Sequence, residues 1–238
     1  MGSEMCIRDS YSSQRPHGGM EHPVSSLGGT ARTTGRRLPE LASVDEGDLH
    51  AILDAALVAH ICVIDQGQPF IVPVGFARAN DVVYLHGSTK SRLFTLLASG
   101  APTCLTVTLL DGLVLARSLF ESSMHYRSVM VLGSCRVVKG SEKLTALKAI
   151  SDHLLPGRWG DARLPNAQED KATMVLALPL DECSVKISSG PPEDSAADLA
   201  REVWAGVVPL TENFGEPIAS DDLAFDIDVP DYVQRWKR

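Results

Sequence analysis

Hydrophobic positions along the chain change period near residue 58. Before it, Leu49, Ile52, Leu53, Ala56 and Leu57 recur at three- and four-residue spacing behind Ser43-Val44-Asp45-Glu46. That spacing, opened by a capping box, predicts an amphipathic helix. Beyond it β-branched runs dominate. His60–Asp65 and Pro69–Ala77 are joined through Asp65-Gln66-Gly67-Gln68, a hairpin turn, and Asn80-Asp81 leads into Val82–His86. Three consecutive strands predict an antiparallel meander. Cys104–Leu110 and Leu113–Arg117 flank Asp111-Gly112, which predicts a second hairpin, and Ser128–Val138 reads as one long strand.

A second helical pattern, Leu144, Leu147, Ile150 and Leu154 within Ser141–Leu154, stops at Pro156-Gly157. Pro165 to Glu169 predict a polar loop or short turn. Thr173–Leu178, Cys183–Ser188 and Val203–Leu210 add strands. Short antiparallel strands with inserted helices, and no strand-helix-strand alternation, predict a mainly β (α+β) fold. A closed or split barrel fits it better than a doubly wound sheet.

Residues 1–37 are rich in Ser, Gly, Arg and His without apolar periodicity. They predict a disordered or non-native leader, with Met20 as a second candidate start. Residues 38–210 form the folded domain in this reading. Residues 211–238 form an acidic tail ending in a short docking helix, where Pro230 precedes Tyr232, Val233 and Trp236.

The 238 residues are 44% apolar, ample for a core, and carry a formal net charge of −8. An acidic chain is a poor general binder of nucleic acid or anionic membranes, so no nucleic-acid or membrane partner is expected. No apolar stretch is long enough to span a bilayer and none resembles an export signal, so a soluble cytoplasmic protein is expected. Five widely spaced cysteines suit reduced, mostly buried thiols. Seven histidines without metal-ligand spacing predict no metal site.

Against this background His86-Gly87-Ser88-Thr89-Lys90-Ser91-Arg92 stands out, between a strand-like and a helix-like run. Gly87 and small hydroxyl residues would let backbone N–H groups approach an anion, with Lys90 and Arg92 supplying charge-assisted hydrogen bonds. A Ser/Thr-rich helix cap with two solvated cations would look the same.

Several ordered blocks resolve that choice through a resemblance. His60 to Pro73, His86 to Arg92, Val107 to Ser118, Ser123-Met124-His125-Tyr126-Arg127-Ser128-Val129, and Val185-Lys186-Ile187 with Trp204-Ala205-Gly206 together resemble the flavin-nucleotide-binding proteins of the pyridoxamine 5′-phosphate oxidase-like superfamily, close to the nitroimidazole-resistance group. The resemblance spans roughly Thr30 to Leu210 and implies a six-stranded antiparallel split β-barrel with peripheral helices. It further implies a homodimer holding FMN at the subunit interface.

By the same resemblance Ser88, Thr89, Lys90 and Arg92 would hold the FMN phosphate and ribityl end, and the strand Ile71-Val72-Pro73-Val74 would lie along the isoalloxazine with its backbone groups reaching the ring's polar edge. Arg127 and Ser128 would approach from another strand, with Lys186 and Trp204 closing the site. A cation near the flavin N1/O2 edge stabilises the anionic reduced ring, which gives Arg127 or Lys186 a role. A surface ion pair is the alternative for Arg127, though Tyr126-Arg127-Ser128 opens an otherwise apolar strand where an idle charge would be costly, and core packing would equally account for Trp204. Relatives commonly carry a histidine pair and an asparagine near the Ser-Met element, where this chain has Glu121 and Ser122 before His125. His125 could act as an acid or base in their place, or merely cap a loop. The Arg-x-His element of vitamin B6 oxidases is absent from the C-terminal half. The implied function is an FMN-dependent oxidoreductase taking electrons from a nicotinamide to a small nitro or quinone compound. A flavin module without turnover, or a haem or deazaflavin binder on the same barrel, are the alternatives.

Overall fold

The computed structural model describes residues 27–223 and 225–236. One ten-stranded antiparallel sheet curls around a single main core. In chain order its elements are β1 (Ala42–Ser43), α1 (Glu46–Ala55), β2 (Val58–Asp65), β3 (Gln68–Ala79), β4 (Val82–Ser88), α2 (Arg92–Ala98), β5 (Pro102–Leu115), β6 (Ser123–Ser134), β7 (Arg136–Val137), α3 (Gly140–Leu154), α4 (Arg158–Asp161), α5 (Ala167–Ala172), β8 (Thr173–Pro179), β9 (Glu182–Ser188), β10 (Gly206–Pro209) and α6 (Asp231–Gln234). The spatial order is β1-β9-β6-β5-β2-β3-β4-β8-β7, with β10 on β5. The mainly antiparallel β class therefore holds. The resemblance implied six strands; among the additional ones β1 and β7, of two residues each, are too short to leave a periodic signal, while β10 falls within the strand expected over Val203–Leu210.

Alternation along the strands builds the core. Ala59, Ile61 and Val63 of β2, Leu105 and Val107 of β5, and Val129 and Val131 of β6 point inward and are at most 1% exposed. Helix α1 closes one opening with Leu49, Ile52 and Leu53, and α2 another with Leu93, Phe94 and Leu97. Helix α3 lies over the other face of β3, β4 and β8, burying Ala146 and Ile150 against Ala77, Tyr84 and Val175.

Two turn signals behave differently. Gln66 and Gly67 take φ of 51° and 82° and join β2 to β3 in full register, as the hairpin signal predicts. Asp111-Gly112 does not turn the chain. Strand β5 runs through it with an irregularity between Leu110 and Gly112. The reason is tertiary: β10 pairs along this stretch, and a Cβ on Gly112 would stand 2.8 Å from the Val208 carbonyl. Asp111 meanwhile accepts two hydrogen bonds from Arg127.

Other elements differ from the pattern in their bounds. The N-cap of α1 is Asp45, which accepts from the Gly47 N–H, while Ser43 belongs to β1 and donates to Asp48. The stretch expected as a polar loop near residue 165 forms α5, with Asn166 and Glu169 in a reciprocal capping box. The strand expected over Ser128–Val138 begins at Ser123 and breaks at buried Cys135.

Part of the expected leader is folded. Leu27 is 8% exposed, the Gly28 N–H donates to the Cys183 carbonyl, and Thr30 and Arg32 both bond Glu182. Residues 1–26, including Cys6 and Met20, lie outside the described residues. The tail returns to the body through α6, where the Arg158 guanidinium donates to the Tyr232 hydroxyl (3.3 Å) and the Tyr232 ring packs against Gly157. No helix among the described residues is long and apolar enough to cross a membrane.

Candidate functional site

The sheet face turned away from the core is the main built surface. Because side chains alternate, three cross-strand rows can be read from the register. Pro73, His60, Thr106, Met130 and Ser184 form one, running β3-β2-β5-β6-β9. Ile71, Cys62, Cys104, Leu132 and Glu182 form the next. Thr108, Ser128, Lys186 and Ala42 form a third. All are half-buried or exposed, with Ile71 at 62%. This face mixes apolar side chains such as Pro73, Ile71, Met130 and Leu132 with hydroxyl, thiol, imidazole and charged groups, the mixture that ligand faces combine.

Structure separates the predicted wall residues. Pro73 stands on this outer face beside His60, whereas Val72 and Val74 turn inward and pack against the core. Pro73 and Ile71 are thus the side chains β3 offers on the outer face.

The Ser88–Arg92 segment lies where β4 ends and α2 begins. Three of its main-chain donors are engaged: the Thr89 N–H bonds the Ala172 carbonyl (2.9 Å), the Lys90 N–H bonds Ser88 Oγ (3.1 Å), and the Ser91 N–H bonds the Ser88 carbonyl (3.0 Å). Ser91 caps the seven-residue α2. An anion here would be held by side chains together with the first-turn N–H groups of α2 at Arg92 and Leu93. The Thr89 hydroxyl and the exposed Lys90 ammonium have no bonding partner among the described residues. Arg92 leans over the Phe70 ring at 4.3 Å and reaches Asp65 at 3.4 Å, with its side chain 61% exposed. A pair that exposed costs little to rearrange.

Gly87 is required for packing. A Cβ there would sit 2.3–2.7 Å from the Phe94 ring, which is 5% exposed in the core. Gly87→Ala therefore forces Phe94 and α2 outward. We expect a loss of about 1–3 kcal/mol in denaturant unfolding, the usual cost of overpacking, and an unchanged midpoint would contradict this packing.

Arg127 is a partnered arginine. Its Nε and Nη2 donate to the two Asp111 carboxylate oxygens at 2.9 and 2.7 Å, a bidentate pair that holds its own pKa above the usual value. Its charge is balanced within the chain. Asp111→Asn is expected to cost up to about 1 kcal/mol, since both side chains are about a third exposed, and a destabilisation well beyond that would show the pair to be more desolvated than its geometry indicates. Ser128 sits directly between Thr108 and Lys186. Lys186 Nζ reaches the Arg37 carbonyl at 3.5 Å, and Trp204 is 65% exposed beside Gly206, so it is not a core residue.

Glu121 and Ser122 belong to a self-satisfied loop. The Glu121 N–H donates to Ser118 Oγ, while Ser122 Oγ accepts from the Ala116 N–H and donates to the Ser118 carbonyl. His125 faces Gly112 at the β5 irregularity, with no bonding partner among the described residues. His60 and His86 likewise have none among them, whereas His50 approaches Asp81 and His153 donates to the Ala56 carbonyl at 2.7 Å. His60 lies on the exposed phase of β2, opposite its buried neighbours Ala59 and Ile61. No hydrogen bond or ion pair links Ser88–Arg92 to Arg127, Ser128, Lys186 or Trp204 within one chain.

A curled antiparallel sheet with peripheral helices defines a split-barrel protein. Residues 45–187 match the pyridoxamine 5′-phosphate oxidase family, and the chain belongs to that family. Among solved structures, it is similar to the FAD and heme binding protein from Mycobacterium smegmatis, with 39% identity, a TM-score of 0.78, and 81% of this chain and 95% of that one covered. It is also similar to the flavocytochrome Anf3 from Azotobacter vinelandii, with 37% identity, a TM-score of 0.84, and coverage of 90% and 99%. A suggested 5-nitroimidazole antibiotic resistance protein from Bacteroides thetaiotaomicron VPI-5482 shares the fold at 23% identity and a TM-score of 0.52, covering 61% and 86%. No protein with a curated description matches the chain.

Proposed function

We propose that this chain is a flavin-dependent electron-transfer protein, working as a homodimer, that takes electrons from a nicotinamide to a small organic acceptor of the nitro or quinone type. The observation that carries this reading is its 39% and 37% identity, over most of the chain, to two proteins described as FAD and heme binding and as a flavocytochrome. The local chemistry suits a flavin. The outer sheet face gives a planar ring an apolar wall with hydroxyl groups along it, and Thr89, Lys90 and Arg92 give phosphate oxygens one hydroxyl and two cations. A second subunit supplies what one chain lacks, a way to bring Lys186 or Trp204 against that phosphate end. Light scattering that finds a monomer at micromolar concentration would remove this part of the reading.

The sequence pointed to FMN. The FAD of the Mycobacterium smegmatis relative favours the dinucleotide, which shares the ring and the first phosphate, so the same side chains serve either. Haem is the second group those two relatives bring forward. Iron in a haem takes an imidazole from a histidine not spent elsewhere, and His60, central on the outer face, suits this role. His60→Ala is expected to abolish the Soret band while leaving the flavin bands; a retained Soret band would move the ligand to His86 or His125. Anaerobic addition of NADH or NADPH tests the electron-transfer claim. Bleaching of the flavin within seconds, reversed by a quinone, supports it, and a flavin that stays oxidised reduces the protein to a carrier or sensor.

A further inference from the structure

We infer that Cys62 and Cys104 are a redox-modification site, closing reversibly into a disulfide across the outer face of the sheet. They are direct partners in the antiparallel β2–β5 register. Both project from the same face, since their neighbours Ile61, Val63, Thr103 and Leu105 are the buried phase of each strand. Directly opposed residues in an antiparallel pair have Cα atoms about 4.5–5.5 Å apart, inside the roughly 4.4–6.8 Å that a disulfide spans. Their Cβ atoms, about 4.5–5.5 Å apart, need to close by up to about 1 Å, which favours a reducible bond over a permanent one.

Both thiols are free and half-buried, so a small reagent reaches them. Cys62 Sγ has one weak contact, the Val63 carbonyl at 3.8 Å. The other described cysteines differ. Cys135 and Cys183 are buried, their thiols pushed up to about 12 chiefly by that burial, and neither stands opposite another cysteine. Cys104 is held above its usual value by partial burial and then by the neighbouring Cys62, so its attack at neutral pH is slow and quickens as pH rises.

The oxidant is a low-molecular-weight disulfide. One cysteine, as thiolate, attacks a sulfur of the reagent, forming a mixed disulfide and expelling one reagent thiolate, which takes up the proton the cysteine lost. The second cysteine attacks the protein-side sulfur and expels the other reagent thiol in the same way. Two protein thiols become one disulfide, and one reagent disulfide becomes two thiols. The bond would lie one row from His60, so the oxidation state of the pair changes the stiffness and chemistry of the same face. The inference stands on the β2–β5 register and on the half-exposure of both thiols in the single chain, and a flavin laid on this face would slow the oxidation without changing the pair.

The test uses the full-length protein in buffers of oxidised and reduced glutathione, quenched with iodoacetamide and digested without reduction for peptide mass spectrometry. The expected result is one new peptide pair linked through Cys62 and Cys104, lost after dithiothreitol. In Cys104→Ser, Cys62 is expected to be left carrying glutathione, because no partner remains to displace it. Recovery of wild-type Cys62 and Cys104 each alkylated, or each bearing glutathione, under oxidising buffer would overturn the inference.

Discussion

Replacing Lys90 and Arg92 together with alanine is expected to strip the flavin from a protein that remains folded. Each cation can donate a charge-assisted hydrogen bond to a phosphate oxygen, worth about 1.5–3 kcal/mol, so losing both weakens binding by more than about a hundredfold. Stability has little stake in either residue. Lys90 is exposed and unpartnered, and the Arg92–Asp65 pair is wide and solvated, so the fold should lose no more than about 1 kcal/mol. The main-chain N–H groups of Thr89, Lys90 and Ser91 are spent on the protein, so the two cations carry much of the local hold on a phosphate. Purified double variant should be nearly colourless with an unchanged circular dichroism melt. Full flavin occupancy would locate the phosphate elsewhere.

Phe76→Ala should have the largest effect on stability. Phe76 is fully buried where β3 passes from the main core to the face under α3, and its ring meets His153 in a tilted contact at 5.4 Å. His153 in turn holds the Ala56 carbonyl at the end of α1. One ring therefore ties β3, α3 and α1 together. Truncation should cost about 3–5 kcal/mol, a melting point lower by roughly 10 °C or more in a chain of this size. A loss under about 1 kcal/mol would mean that the three elements are held by something other than this contact.

Much of the fold was legible because its rules are local. Alternation in His60–Asp65 and Cys104–Leu110 fixed which side chains enter the core, and Gln66-Gly67 carried its own turn geometry. What escaped was set by distant partners. Asp111-Gly112 has the composition of a hairpin, but β10 and Arg127 hold it straight. Thr30 and Arg32 have no periodicity, yet Glu182 on β9 anchors them. The same division runs through the candidate site. Residue types at Ser88–Arg92 signalled an anion, whereas the engagement of the backbone donors by Ala172 and Ser88 can be seen only in three dimensions. Arg127 looked costly as an idle charge at the mouth of an apolar strand, and the fold answers that cost with Asp111.

The most direct test of the account is the absorption spectrum of the protein as purified, followed by chromatography of the chromophore released on denaturation against FMN, FAD and haem standards. The account predicts the two flavin bands with near-stoichiometric flavin, eluting as the dinucleotide, and a Soret band where haem is also held. A colourless protein that takes up neither added FMN nor added FAD would contradict it.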